Sequence, residues 1–305
     1  MNFKGRDIIS INDFSKDEIL YILDIAKKFD GNHRSLLLQG KVLAALFFEP
    51  STRTRLSFTA AMEQLGGSTI GFETEEVTSI KKGETLWDTI KMVEQYSDVI
   101  VMRNPIEGSA RLASESASIP VINAGDGSNQ HPSQTMVDLY TILQTKGKID
   151  GLTIGMVGDL KYGRTVHSLA VALSHFKVKF YFIAPDALKM PPEYTEKVRA
   201  NGKTVIETDD INKVVKELDV MYVTRIQGER FPDPLEYEKY KDVYNVNLEL
   251  LRDAKKDLKI MHPLPRVGEI NPEVDNTSFA AYFQQAGNGI PIRKALLSLV
   301  LGMAK

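Results

Sequence analysis

Hydrophobic and polar positions alternate along this chain in two rhythms. Short apolar runs of strand length are separated by stretches in which apolar residues recur every three or four positions. The run Lys41–Phe48 (KVLAALFF) has the length of a buried strand, and TRLSFTAAMEQLG after it has helical spacing and stops at Gly66-Gly67. DVIVMR (Asp98–Arg103) and PVINAG (Pro120–Gly125) read as further strands, each preceded by a helical stretch, Thr85–Gln95 and Glu107–Ala117. Ser133–Thr145 is predicted helical, and the pattern restarts at Leu152–Asp159 (LTIGMVGD) with a helix from about Arg164 to His175. KVKFYFIAP, LDVMYVTR and LKIMHPL complete the strands, and the closing IPIRKALLSLVLGMAK is amphipathic and helical. Strands alternating with helices of 10–15 residues predict an α/β protein with parallel sheets and crossover helices (~10–15 is the usual length). The polar joint TKGKIDG (Thr145–Gly151) is the predicted boundary. It gives two domains, each a parallel sheet flanked by helices: 1–149, with the terminal helix 289–305 packing back on it, and 150–288.

Ligands of open α/β sheets bind beyond the carboxyl ends of the strands. Six such ends carry chemistry in this chain: EPSTRTR, Arg103, GDGSNQHPSQ, GDLKYGR, TRIQGER and HPLPR. Any one would pass for a solvated loop. Their coincidence on one kind of edge points to a site, and arginine forks suit carboxylate and phosphate oxygens. The densest is Ser51, Thr52, Arg53, Thr54 and Arg55, where a strand turns into a helix. One hydroxyl suffices to cap a helix. Three hydroxyls and two guanidiniums read as a socket for an anion at a helix N-terminus.

Composition narrows what the socket serves. The chain has 305 residues with a formal net charge of −2, which gives no basic field for nucleic acid. It has no cysteine, which excludes disulfides, thiolate nucleophiles and Cys-ligated metals. No apolar run reaches the ~18 residues of a membrane span, and MNFKGRDIIS lacks an apolar signal segment, so a cytoplasmic location is expected. The histidines show no metal-ligand spacing. His33, His167, His175 and His262 read as satisfied structural residues. GMVGDLKYGR invites a dinucleotide-loop reading but lacks G-x-G-x-x-G.

In chain order, FEPSTRTRLSF, TSIKKGETLWDT, HPSQTMVDLYT, GDLKYGRTVHSL, TRIQGERF and HPLPRVGEI resemble the catalytic chains of the aspartate carbamoyltransferase family over nearly the whole sequence. An ornithine-type relative would carry HCLP and DxxxSMG segments instead. The resemblance implies transfer of a carbamoyl group from carbamoyl phosphate to aspartate, with no metal and no cofactor. It implies that Ser51, Thr52, Arg53 and Thr54 cradle the phosphate, that Arg103 bridges phosphate and carbonyl oxygen, that His131 donates to that oxygen, and that Gln134 binds the carbamoyl NH2, with Arg55 structural. Main-chain carbonyls of Pro263, Leu264 and their neighbours, Pro265 included, would accept from the NH2 and the amine. Arg164, Arg225 and Gln227 would hold the carboxylates of aspartate. TSIKKGE reads from composition as a solvated turn. The resemblance instead has it cross into a neighbouring subunit, with Lys82 supplied to that subunit's site in a homotrimer. A separate regulatory chain is an open partner. Glu49 is expected to pair with Arg164, Arg230 or both when the domains close on both substrates. The competing readings are a non-catalytic anion-binding subunit of the same fold and a carbamoyltransferase for another amine. Against the first, none of Arg53, Thr54, Lys82, Arg103, His131, Arg164 and Arg225 is missing.

Overall fold

The structure is a computed structural model that describes residues 1–31, 34–74, 82–228, 231 and 233–304. It divides into two compact units, Met1–Val137 with Gly287–Lys305, and Asp138–Ala286.

The first unit opens with α1 (Lys16–Lys27), closed at its start by a capping box between Ser15 and Glu18. Its sheet contains β1 (Val42–Phe47), β2 (Ser68–Phe72), β3 (Val99–Asn104) and β4 (Val121–Asp126), all parallel, in the order β2-β1-β3-β4. Helices α2 (Thr52–Gln64), α3 (Leu86–Val93) and α4 (Ser109–Ser116) are the crossovers. Strands β1, β3 and β4 are buried almost throughout. Their apolar side chains pack with Ile90, Val93, Ala110 and Ala113 of α3 and α4 into one core. Each buried Leu, Ile, Val or Phe contributes roughly 1.5–3 kcal/mol. Helix α5 (Pro132–Lys146) begins in this unit, and its residues from Asp138 onward belong to the second.

The second unit has a five-stranded parallel sheet in the order β7-β6-β5-β8-β9. Its strands are β5 (Thr153–Val157), β6 (Lys179–Ile183), β7 (Thr204–Thr208), β8 (Val220–Val223) and β9 (Lys259–Met261). Between them lie α6 (Arg164–Leu173), α7 (Pro192–Ala200) and α8 (Pro234–Tyr240), and α9 (Tyr282–Gly287) follows. The terminal α10 (Gly289–Val300) is buried at every position but Ile290 and packs on α1 and α2 of the first unit.

The α/β class and the parallel sheets agree with the periodicity. Helix α2 begins two residues earlier than the apolar spacing indicates, so Thr52–Arg55 form its first turn and Ser51 is the N-cap position. Helix α1 and the edge strands β2 and β7 go beyond the elements read from the sequence. No helix among the described residues is long and apolar enough to cross a membrane.

Candidate active site

In the first unit, β1, β3 and β4 are neighbours in the sheet, so their carboxyl ends lie side by side. Phe47 is in register with Arg103, and Asn104 with Asp126. The chain leaves β1 through Phe48 and Glu49, turns at Pro50, and enters α2. Ser15 and Thr85 cap α1 and α3 through their hydroxyls, whereas the Ser51 side chain makes no cap bond to α2. Its Oγ accepts from Arg103 Nη1 at 3.2 Å, while Arg103 Nε donates to Glu49 Oε1 at 2.7 Å. The guanidinium is thus aimed by two residues of the neighbouring strand end. Thr54 is buried, and Thr52 and Arg53 are exposed on the first turn of α2. Uncapped N–H groups of a helix N-terminus attract anions. Arg55 turns aside to an ion pair with Glu73 at 2.5 Å.

After β4 the loop is held by Asp126, which is 1% exposed and bonded to four donors. Its Oδ1 accepts from Asn123 Nδ2 at 2.8 Å and Gln130 N–H at 3.1 Å. Its Oδ2 accepts from Gly108 N–H at 3.0 Å and Asn129 Nδ2 at 2.9 Å. This network fixes the loop that presents His131, itself buried at the start of α5. The Gln134 N–H donates to His131 Nδ1 at 3.4 Å. Ser133 Oγ lies at the same 3.4 Å from Nδ1; in the tautomer whose Nδ1 accepts from Gln134, Nε2 carries the proton and can donate to a ligand oxygen. Gln134 lies on the first turn of the same helix and is half-buried.

The second unit repeats the arrangement on β5, β8 and β9, again three adjacent strands. After β5 the turn GDLKYG depends on Gly158 (φ +112°), where a Cβ would lie 2.2 Å from the Thr224 carbonyl oxygen. Asp159, fully buried, accepts from the Lys161 and Tyr162 N–H groups at 3.2 and 2.9 Å, shaping the turn into Arg164, the first residue of α6. Arg225 and Gln227 follow β8, and both are half-buried, as is Arg164. After β9 comes His262, then Leu264 at φ +59° and exposed Pro265, joined by a cis peptide bond. His262 Nδ1 accepts from the Leu264 N–H at 2.8 Å, and His262 Nε2 lies 2.7 Å from Glu269 Oε1. Burial works against the Glu269 charge, but His262 and the Gly268 N–H outweigh it and hold the carboxyl down at about 2. Of the histidines set aside from the sequence, His167 is a buried structural residue: its Nε2 bonds the Leu160 carbonyl at 2.8 Å and its ring stacks on Tyr194. His262, buried with both ring nitrogens bonded, fits that reading too. His33 lies outside the described residues, as does Arg230, one of the two residues expected to meet Glu49. The TSIKKGE segment is described only from Lys82 onward, and Lys82 is exposed.

Ser51, Arg103 and Glu49 are therefore joined by hydrogen bonds, with His131 two strands from β1 at the same sheet edge. Arg164, Arg225 and Leu264 occupy the equivalent edge of the second sheet.

Residues 6–144 match the aspartate/ornithine carbamoyltransferase, carbamoyl-P binding domain, and residues 150–300 match the Asp/Orn binding domain of that family. The chain is 61% identical to the aspartate carbamoyltransferase catalytic subunit of Thermococcus kodakarensis, with 99% of each chain covered. It resembles the catalytic subunit of M. jannaschii aspartate transcarbamoylase with a TM-score of 0.90 at 50% identity, covering 97% of this chain and 98% of the other. Aspartate transcarbamoylase from Trypanosoma cruzi, solved in complex with carbamoyl phosphate and aspartate, superposes with a TM-score of 0.93 at 40% identity over 98% of both chains. Matched in both halves and along nearly all its length, the chain belongs to the aspartate/ornithine carbamoyltransferase family.

Proposed function

We propose that this chain transfers the carbamoyl group of carbamoyl phosphate to the α-amine of L-aspartate, giving N-carbamoyl-L-aspartate and phosphate, a step of pyrimidine biosynthesis. The observation that carries the reading is the guanidinium of Arg103, oriented by Glu49 and Ser51 beside an uncapped helix N-terminus. In the first domain, 1–149 with the terminal helix 289–305, Ser51, Thr52, Arg53 and Thr54 take the phosphate. Arg103 spans phosphate and carbonyl oxygen. His131 Nε2–H donates to that oxygen, and Gln134 with the main chain at Leu264 and Pro265 binds the carbamoyl NH2. In the second domain, 150–288, Arg164 and Arg225 take the two carboxylates of aspartate, with Gln227 beside Arg225.

The deprotonated amine is the nucleophile, so no covalent enzyme intermediate is needed. Attack on the carbonyl carbon places negative charge on its oxygen, where Thr54, Arg103 and His131 stabilise it; one such donor is worth about 10²–10³ in rate. As the tetrahedral intermediate collapses, the C–O bond to phosphate breaks and the departing phosphate takes the amine proton. Holding two anions together in line supplies the remaining acceleration. Phosphate release from carbamoyl phosphate, measured with aspartate and with ornithine, tests the reading. Release with aspartate alone is expected, and equal inactivity with both would sink it.

The working form in this reading is a cytoplasmic homotrimer in which Lys82 of one chain completes the site of the next. The absence of cysteine suits that compartment, and the name catalytic subunit carried by relatives leaves room for a regulatory chain. Lys82→Ala and His131→Ala variants, each inactive, should regain activity when dissociated, mixed and reassembled, because some hybrid sites then carry neither substitution. Hybrids as inactive as their parents would rule out sharing.

A further inference from the structure

Leu264 is, among the described residues, the one residue other than glycine at positive φ. A left-handed backbone costs a side-chain-bearing residue roughly 1–2 kcal/mol, so the surroundings have to impose it. The Leu264 N–H donates to His262 Nδ1 at 2.8 Å. Because Nδ1 accepts from a main-chain donor, the ring is neutral with its proton on Nε2, which donates to Glu269 Oε1 at 2.7 Å. The second oxygen of Glu269 accepts from the Val267 and Gly268 N–H groups at 3.0 and 2.9 Å, closing the loop onto itself. The other side of His262 is equally fixed. Its own N–H donates to Gln285 Oε1 at 2.8 Å, Gln285 Nε2 donates to Asp138 Oδ1 at 2.7 Å, and Tyr222 donates its hydroxyl to Asp138 Oδ2 at 2.9 Å. His262, Glu269, Gln285, Asp138 and Tyr222 are all buried. Ring and main chain are therefore each held, and the nitrogen that remains for Leu264 has one place to be.

We propose that His262 is a positioning residue for the reaction: its neutral ring, oriented by Glu269, locks Leu264 so that the main chain there meets the carbamoyl NH2. The proposal rests on the carbamoyl-transfer reading above. It assigns a role to a residue that touches no reacting atom and acts through the peptide two positions on.

The two nitrogens can be tested separately. Asparagine accepts from the N–H two residues on in an Asx-turn, so His262→Asn keeps the bond to Leu264 and gives up the bond to Glu269. Glutamine is longer; His262→Gln places its amide where Nε2 stood, reaches Glu269, and leaves Leu264 without its acceptor. Steady-state rates are measured for the full chain and both variants with carbamoyl phosphate and aspartate, alongside circular dichroism melting. His262→Asn should keep kcat/KM for carbamoyl phosphate within about threefold of the parent, while His262→Gln loses about 100-fold, as a ~1 Å misplacement beside reacting atoms does. The KM for aspartate should move far less in both. Equal losses in the two variants, an unimpaired His262→Gln, or loss of fold in either would overturn the assignment while leaving the reaction intact. An unsubstituted protein that fails to release phosphate would overturn the carbamoyl-transfer reading itself, and the role of His262 with it.

Discussion

The two units place their polar residues at the same address, the carboxyl ends of three adjacent parallel strands, and both include guanidiniums, yet they differ in one kind of group. The first unit offers side-chain and helix-end groups: the Arg103 guanidinium, the His131 ring and the first turn of α2. The second, besides Arg164 and Arg225, adds after β9 a stretch of main chain held in an unusual torsion at Leu264. A buried carboxylate lies beneath each. Asp126 gathers four donors directly and thereby shapes the loop before His131. Glu269 acts at one remove, through the ring of His262. The contrast teaches what each kind of group needs. A side-chain donor carries its own reach and needs only one or two neighbours to aim it. A main-chain group can be aimed only by fixing the backbone that carries it, so it takes a relay of buried polar residues.

Two measurements would break or sharpen this contrast. The larger effect is expected from Arg225→Ala in the second unit. Leaving a carboxylate of aspartate unpaired costs about 2–5 kcal/mol, or roughly 30- to several thousand-fold in affinity. Steady-state kinetics should show this as a rise in the KM for aspartate, with carbamoyl phosphate binding little changed. The reverse pattern would mean that the two units do not divide the substrates as proposed.

The smaller effect concerns acid. Glu269 is held at about 2 against an ordinary value of 4.5. Its folded-state value is depressed, so its contribution is complete above about pH 4.5 and fades as pH falls towards 2. About 2.5 units correspond to roughly 3 kcal/mol. Urea unfolding of the protein and of Glu269→Gln should differ by about that much near pH 5, and the gap should shrink steadily towards pH 2. A gap that stays constant with pH would show that the carboxylate charge plays no part in holding the β9 loop.

The central strands were legible because both faces of each are covered, so LAALF, VIVM, TIGMV and VMYV read as unbroken apolar runs. The edge strands β2 and β7 were not. Both are largely exposed, and STIGF and TVIET mix polar with apolar residues, which a turn would do as well. Ser51–Thr54, Arg103 and His131 stood out because their residue types fall just past apolar runs. Arg55 could be set apart by its place one residue further along α2, and it does pair elsewhere. Nothing marks Asp126 within AGDGSNQ, since a carboxylate that takes four donors looks no different in sequence from one that takes water. The positioning role proposed for His262 was invisible for a related reason: its partners Glu269 and Gln285, the latter held by Asp138, come together only in the folded chain, and the role depends on a torsion at Leu264 that no residue pattern encodes.

Helix α2 bears on how such a protein can be improved in the laboratory. An N-cap hydroxyl bonded to its helix is worth about 0.5–2 kcal/mol, and Ser51 forgoes it to hold Arg103. A search for heat-resistant variants would find this position attractive, since aspartate is among the best caps and would also favour the helix dipole. The same carboxylate would stand where the phosphate is proposed to bind. Selection for durability and selection for turnover thus pull this one residue in opposite directions, and a library screened for melting temperature alone would enrich stable proteins with a blocked anion socket.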